Sequence, residues 1–305
     1  MAGEDQYFDH YKPSIAAAII FVVLFSASTL SHTWQVWRRR TWYWIPFTIG
    51  GYFQIVGYAC RTISSTQYPD STLVPYILQS LLILLAPALY AASIYMVLGR
   101  IIRVTAGEKY ALIRVTWLTK IFVTGDVLSF LVQCMGKNTL TSHLPQAITL
   151  MKGATGGAIL ASADTQDQRD RGELLITIGL IIQVIFFGLF ILVSIHYNWR
   201  LRKEPTDASR ATPVSWQFYL YILYATNGLI MVRSVFRLIE YVQGEDGALL
   251  SKEVYLYVFD AALMIITMAI FNWKHPSILI PAKVKGQAQD VEAGSDNFLM
   301  QQRSK

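Results

Sequence analysis

Residues 173–197 read ELLITIGLIIQVIFFGLFILVSIHY, and the only acidic or basic side chain in this run besides His196 is that of Glu173 at its start. A helix needs about 20 mostly apolar residues to cross a bilayer, so the run predicts a transmembrane helix. Six further apolar segments have a similar length: 13–35, 43–63, 72–100, 115–136, 216–239 and 253–272. The sequence therefore predicts an all-α, polytopic membrane protein with seven transmembrane helices.

The composition agrees with this prediction. The 305 residues are 53% hydrophobic and 15% charged, whereas soluble domains carry about 25% charged residues. The net charge of +6 comes from Lys and Arg divided among short loops. This distribution is typical of a topology signal, and it argues against nucleic-acid binding.

Basic residues predict the orientation, because cytosolic loops carry an excess of Lys and Arg. They concentrate after the first, third, fifth and seventh spans, which places the amino terminus outside and the carboxyl terminus in the cytosol. We therefore expect three regions: an extracellular segment 1–12, a membrane domain 13–275 and a disordered cytosolic tail 276–305. The first ten residues contain no Lys or Arg, so the first span is interpreted as a retained signal anchor.

Little in the sequence indicates catalysis or a bound cofactor. No phosphate-binding loop, no Ser-His-Asp arrangement and no H-E-x-x-H motif occurs, and the five histidines have no metal-site spacing relative to Cys. We expect Cys60 and Cys134 to be free buried thiols, and the connection 137–172 to be a flexible surface loop. The sequence predicts a protein that is not an enzyme and that needs no metal or cofactor.

The last two spans contain most of the ionisable residues, which are costly inside a membrane. Arg233, Arg237 and Glu240 lie on one face of span six, and Arg237 and Glu240 are spaced to pair within the helix. Glu253 and Asp260 share a face of span seven. If the two spans are antiparallel neighbours, Arg233 reaches the level of Asp260. Such a pair either locks two helices together or forms part of a polar head-group or proton-coupled site.

Other spans carry polar residues seven positions apart, on one helix face. Asp126 and Gln133 form such a pair in span four, and Gln54 and Arg61 form one in span two. Span three adds a single polar residue, Gln79. These stripes predict a polar seam inside the bundle. The candidate substrate-binding or coupling residues are therefore Asp126, Gln133, Arg233, Arg237, Glu240, Glu253 and Asp260.

Two familiar seven-helix classes do not fit. A retinal protein needs a Lys in span seven, and residues 254–272 contain none. Rhodopsin-like receptors end span three with an acidic residue followed by Arg-Tyr, whereas this span ends Leu98-Gly99-Arg100.

An ordered set of short motifs carries a resemblance to a different family. The set comprises Tyr11-Lys-Pro13, Gly57-Tyr-Ala-Cys-Arg61, Gln79, Ala86-Pro87-Ala88, Ala92-Ser-Ile-Tyr95, Gly125-Asp126-Val-Leu-Ser129, Gln133, Arg233-Ser-Val-Phe-Arg237-Leu-Ile-Glu240, Gly244, Glu253, Tyr257-Val-Phe-Asp260 and His275-Pro276. In these residues the chain resembles the fungal lipid-translocating exporter family, the seven-span proteins linked to 7-aminocholesterol resistance and sphingoid-base export. Two positions depart from the family pattern: Gln54 replaces an acidic residue, and Gly136-Lys-Asn138 replaces a more Gly-rich run.

The resemblance implies export of amphiphilic lipids or lipophilic toxic compounds at the plasma membrane. The partners would then be membrane lipids or lipophilic amphiphiles, and no protein partner is specified. A cationic amphiphile would place its ammonium group against Asp126, Glu253 or Asp260. The alternative is a seven-span receptor or regulator that senses lipid stress and signals through its basic cytosolic loops.

Overall fold

The computed structural model describes residues 14–67, 73–135, 166–212, 215–243 and 253–279, and every regular element in these residues is helical. Seven helices are long: α1 (Ile15–Arg39), α2 (Ile45–Thr66), α3 (Leu73–Val104), α4 (Val115–Met135), α5 (Gln166–Lys203), α6 (Trp216–Gln243) and α7 (Glu253–Trp273). Short helical turns cover Trp42–Trp44, Glu108–Tyr110, Asp207–Ala211 and Pro276–Leu279. The predicted all-α architecture is confirmed for the described residues.

Six of the seven long helices are long and apolar enough to cross a membrane, which makes the protein a multi-pass membrane protein. The exception is α2, whose apolar residues are interrupted by three glycines and by polar side chains such as Gln54 and Arg61. These two side chains are buried inside the bundle. The low hydropathy of α2 thus reflects residues that face neighbouring helices and not lipid.

Helix α3 occupies the centre of the bundle and is the most buried of the six candidate spans. Each helix packs against its neighbour in the chain, α7 returns to pack against α1, and α3 also contacts α6. Side chains of α1 that point away from these contacts are exposed and apolar, among them Ile20, Val23 and Leu30. They form a surface suited to lipid acyl chains.

Local sequence explains where α1 begins and ends. The Ser14 hydroxyl accepts a hydrogen bond from the Ala17 backbone N–H at 3.3 Å, which caps the first turn. At the other end, Arg40 adopts a left-handed backbone conformation with a φ of 51°, which stops the helix. Arg38 and Arg39 in the last turn lie next to the negative end of the helix dipole.

The basic ends of the odd-numbered helices meet on one side of the molecule. The Arg100 guanidinium lies 3.7 Å from the centre of the Tyr43 ring, and the Tyr43 hydroxyl donates to the Pro276 carbonyl at 2.9 Å. Thr206 donates to the Thr105 carbonyl at 2.5 Å, which joins the turns after α3 and α5.

Several boundaries differ from those expected. Helix α5 begins at Gln166, inside the segment 137–172 that was expected to be a loop. The turn Pro276–Leu279 is held to α1 because Arg39 donates to the Ser277 hydroxyl at 2.7 Å, so defined structure extends into the expected tail. The expected extracellular segment, the connection 136–165 and the tail from residue 280 lie outside the described residues.

Candidate binding site within the helix bundle

Four charged side chains form a buried cluster between α6 and α7. Arg233 Nε lies 2.5 Å from Asp260 Oδ1, and Arg237 contacts the other carboxylate oxygen of Asp260. Arg237 also donates to Glu240 Oε2 at 2.8 Å. The predicted Arg233–Asp260 and Arg237–Glu240 pairs are confirmed. Two positive and two negative charges therefore offset one another inside the cluster.

Asp260 lies in a stretch of α7 where the helix widens. Residues Tyr257–Ala262 form a π-helical segment, which is continuous with α-helix on both sides. Short π-helical segments occur frequently at functional sites. No pattern in the sequence predicted this segment.

Glu253 belongs to a second, smaller cluster at the opposite end of the bundle from the basic turns. Arg61 Nη2 of α2 lies 2.7 Å from Glu253 Oε1, and the Ser14 backbone N–H donates to Glu253 Oε2 at 2.7 Å. Arg61 Nε also donates to the Tyr257 hydroxyl at 3.2 Å. Glu253 thus joins α1, α2 and α7, a role that the spacing within span seven did not predict.

Asp126 differs from both of these acids because no basic side chain neutralises it among the described residues. It is only 2% exposed, and neither carboxylate oxygen has a hydrogen-bond partner there. The Tyr95 side chain of α3 lies close enough to interact with this carboxylate, although the two groups fall outside strict hydrogen-bond geometry. Ser129 donates to the main-chain carbonyl of Asp126, not to its side chain. Asp126 therefore combines deep burial with a carboxylate that no described basic side chain neutralises.

Aromatic rings cluster around Tyr95, the residue beside this carboxylate. The Tyr95 ring centre lies 4.4 Å from that of Phe190 and 5.4 Å from that of Phe122. Gly125 brings Phe186 close, since a Cβ atom at position 125 would lie 2.3 Å from Phe186 Cδ1. Aromatic faces attract cations, so the rings and the carboxylate favour the same kind of ligand.

Gln133 lies in the interface between α4 and α5. Its Oε1 atom is buried without a hydrogen-bond partner among the described groups. Gly179 of α5 packs against it, because a Cβ atom there would lie 2.3 Å from Gln133 Cγ. Gln133 of the predicted stripe therefore faces α5, whereas Asp126 lies beside Tyr95 of α3. Neither residue belongs to the ion cluster of α6 and α7.

Two buried polar residues of the helix bundle, Asn227 and Tyr95, were not among the predicted site residues. Asn227 of α6 is fully buried, and neither atom of its amide has a partner among the described residues. Tyr95 was identified only as part of the motif Ala92-Ser-Ile-Tyr95. Both residues are single polar groups in apolar runs, and one sequence gives no spacing that distinguishes them from packing residues.

The histidines and cysteines offer no metal centre in the described part of the chain, where no group of three or more His, Cys, Asp or Glu is placed to hold an ion. His32 and His275 lie with their ring centres 6.3 Å apart. Burial, and after it the nearby His32 and Arg39, lowers the pKa of His275 to about 3, so the ring is neutral at physiological pH. Cys60 is a free buried thiol, as predicted.

The fold and the buried charges define a polytopic α-helical membrane protein with ionisable groups inside its bundle. The family model described as RTA1 like protein matches residues 47–283, and the chain belongs to this family. The resemblance drawn from the sequence motifs is thereby confirmed.

Three relatives from Saccharomyces cerevisiae illustrate the family. Protein RTA1 is 34% identical over 296 residues, which cover 88% of this chain and 85% of that protein. Protoporphyrin uptake protein 1 is 34% identical over 301 residues, covering 86% and 90%. Sphingoid long-chain base transporter RSB1 is 24% identical over 307 residues, covering 90% and 75%. No solved structure matches the chain.

Proposed function

We propose that the protein exports amphiphilic lipids or lipophilic toxic compounds across the plasma membrane and so confers resistance to them. Family membership supports this proposal, as do relatives named for transport of sphingoid long-chain bases and for uptake of a porphyrin. The observation that carries it is Asp126, a buried carboxylate with no basic partner among the described residues.

The cargo head group would be a cation, and long-chain bases are our candidate class. An isolated buried carboxylate is unfavourable unless a positive charge or a proton neutralises it. An ammonium group that enters between α3, α4 and α5 would interact favourably with the Asp126 carboxylate and with the faces of the aromatic rings. The apolar faces of the helices would accept the hydrocarbon tail.

Among the three acids that could bind the ammonium group, we favour Asp126. Asp260 already contacts two guanidinium groups, and Glu253 already pairs with Arg61. A cargo cation would have to displace those partners, which is costly in a buried site. We assign Asp126 to the head group and the other two acids to holding the helices in place, with Gln133 as a polar neighbour of the cargo.

We also propose that α2 is a seventh span, with the amino terminus outside and the carboxyl terminus in the cytosol. Phe47, near the start of α2, donates its backbone N–H to Ser93 near the basic side, and Arg61 reaches Glu253 at the opposite side. Its 22 residues extend about 33 Å, compared with about 30 Å for a bilayer core.

Translocation by the purified protein tests the proposed function. Liposomes containing the protein and a fluorescent long-chain base should show faster movement between leaflets than protein-free liposomes. A chain ending at residue 279 should keep this activity, because a carrier does not need the tail. Folded protein that moves no long-chain base and no other tested amphiphile would overturn the proposal in favour of the lipid-sensing regulator.

A further inference from the structure

Helix α3 contains a proline in its middle, at the level of the buried ion cluster. Pro87 has no backbone N–H, so the carbonyl of Ile83, four residues earlier, loses its usual partner within the helix. A buried carbonyl without a donor is unfavourable, above all within a membrane. The structure must therefore provide another donor for Ile83.

Arg233 of α6 is that donor. Its Nη2 atom donates to the Ile83 carbonyl oxygen at 2.9 Å, and the Arg233 side chain is only 1% exposed. Its Nε atom is at the same time fixed by Asp260 at 2.5 Å. Asp260 belongs to the π-helical segment of α7. The Arg233 guanidinium thus connects α3 at its proline with α7 at its π-helical segment.

The opposite side of α3 at this level is closed by α2. A Cβ atom added to Gly57 would lie 2.8 Å from Ile83 Cγ1, and one added to Gly50 would lie 2.9 Å from the Ala86 carbonyl oxygen. These contacts leave no space for α3 to shift toward α2. The direction that α3 takes after Pro87 therefore depends on its contacts with the other neighbouring helices, and Arg233 of α6 provides the contact at the Ile83 carbonyl.

We propose that Arg233 is a positioning residue for α3. By replacing the donor that Pro87 lacks, it sets the angle between the parts of α3 before and after the proline. The later part carries Tyr95, which lies next to Asp126. The ion cluster would thus act on the Asp126 site through α3, and this inference about helix geometry stands independently of what the protein transports.

Spin labels on the two parts of α3 can measure this angle. Val74 and Arg103 are both exposed, and a straight helix would separate them by about 44 Å, within the range of pulsed electron spin resonance. The labels are placed by Val74→Cys and Arg103→Cys in a background with Cys60→Ser and Cys134→Ser. We expect Arg233→Gln to shift or broaden the measured distance distribution.

Pro87→Ala provides the decisive comparison, because it returns an N–H to the helix for the Ile83 carbonyl. In that background, Arg233→Gln should leave the distance unchanged. Pro75→Ala is the matched control: Pro75 is the third residue of α3, where its missing N–H has no acceptor within the helix. Arg233→Gln should therefore shift the distance as strongly with Pro75→Ala as without it.

The two backgrounds distinguish a role of Arg233 at the Ile83 carbonyl from its role in the ion cluster. A shift that Pro87→Ala abolishes supports the inference, as does an Arg233→Gln protein that folds only when Pro87→Ala is present. The loss of the Arg233–Asp260 pair is the same in both backgrounds, so only the difference between the backgrounds is informative. The inference is overturned if Arg233→Gln leaves the distance unchanged, or if its effects on the distance and on the unfolding temperature are the same with and without Pro87→Ala.

Discussion

Asp126 and Asp260 are both buried aspartates in one helix bundle, but only Asp260 has basic partners. Two guanidinium groups contact the Asp260 carboxylate, while the Asp126 carboxylate contacts no basic group in the described residues. Removing one member of a buried ion pair is strongly destabilising because it leaves an uncompensated charge, and no such partner depends on the Asp126 carboxylate among the described residues. The same residue type therefore has a structural role on α7 and an assigned binding role on α4.

Asp260→Asn should destabilise the protein strongly. The substitution leaves Arg233 and Arg237 buried with only Glu240 to offset them, and removal of one member of a buried ion pair costs about 3–5 kcal/mol. Thermal unfolding in detergent, compared with wild type, measures the loss. Asp207→Asn, an exposed change on the short helix outside the spans, should leave the unfolding temperature unchanged. An unchanged unfolding temperature in Asp260→Asn would show that the cluster does not hold α6 to α7.

Asp126→Asn should leave the unfolding temperature equal to or above that of wild type. The substitution removes a buried carboxyl group that no basic side chain neutralises and keeps the side chain's size, so its effect on folding should have the opposite sign to that of Asp260→Asn. The same thermal unfolding measurement tests this contrast. A loss comparable with that of Asp260→Asn would mean that Asp126 is paired in the folded protein, which contradicts its assignment to cargo.

At the scale of helices, close approach depends on glycines whose Cβ position is occupied by a neighbour. In α2, Gly50 faces the Ala86 carbonyl and the Tyr90 ring, and Gly51 faces Thr29 of α1. Gly228 of α6, by contrast, has no atom within 4 Å of its Cβ position. Small residues let membrane helices pack closely. Gly50 and Gly51 permit such close contacts, whereas Gly228 makes none.

Gly50→Ala and Gly228→Ala should therefore change stability in opposite directions. The added methyl at position 50 would overlap a main-chain oxygen, and such overpacking costs about 1–3 kcal/mol. At position 228 the methyl meets open space and removes the flexibility of glycine, which stabilises a helix by about 0.5–1 kcal/mol. Thermal unfolding of both variants measures the difference, and a destabilised Gly228→Ala would contradict the packing described for α6.

The sequence predicted those elements that depend on local composition. Long apolar runs predicted every long helix, and the spacing of Arg233, Arg237 and Glu240 predicted one face of α6. The pairing of Arg61 with Glu253 and the π-helical segment at Asp260 depend on how distant helices meet, which one sequence does not specify. The isolation of Asp126 was not predicted for the same reason, because a missing partner is visible only when all neighbours are placed.

At the scale of the whole molecule, the ends of α1, α3, α5 and α7 carry the basic residues and lie together, and Glu253 and Arg61 lie at the other side. This arrangement supports our proposal that α2 crosses the membrane although its hydropathy is low. Its polar face is shielded by α1 and α3, and α3 itself contacts α2, α4 and α6. A central helix with contacts on several sides is suited to relay a change between the ion cluster and the Asp126 site.

Cysteine labelling in intact cells tests the proposed topology. In a background with Cys60→Ser and Cys134→Ser, Gln243→Cys lies at the end of α6 opposite the basic turns, and Glu108→Cys lies in the turn between α3 and α4. A membrane-impermeant maleimide should label position 243 from outside and position 108 only after permeabilisation. The reverse pattern would invert the orientation. Arg38→Cys in the last turn of α1 and Gln67→Cys at the end of α2 flank α2, so labelling of both from the same side would exclude α2 as a span.

The most direct test of the account compares Asp126→Asn with wild type in translocation of a labelled long-chain base by reconstituted protein. Asp207→Asn is the matched control, since it makes the same chemical change at an exposed site. We expect folded Asp126→Asn protein to lose at least tenfold in rate, equivalent to about 1.4 kcal/mol, and Asp207→Asn to match wild type. Wild-type rates in folded Asp126→Asn protein would contradict the assignment of this carboxylate to the cargo.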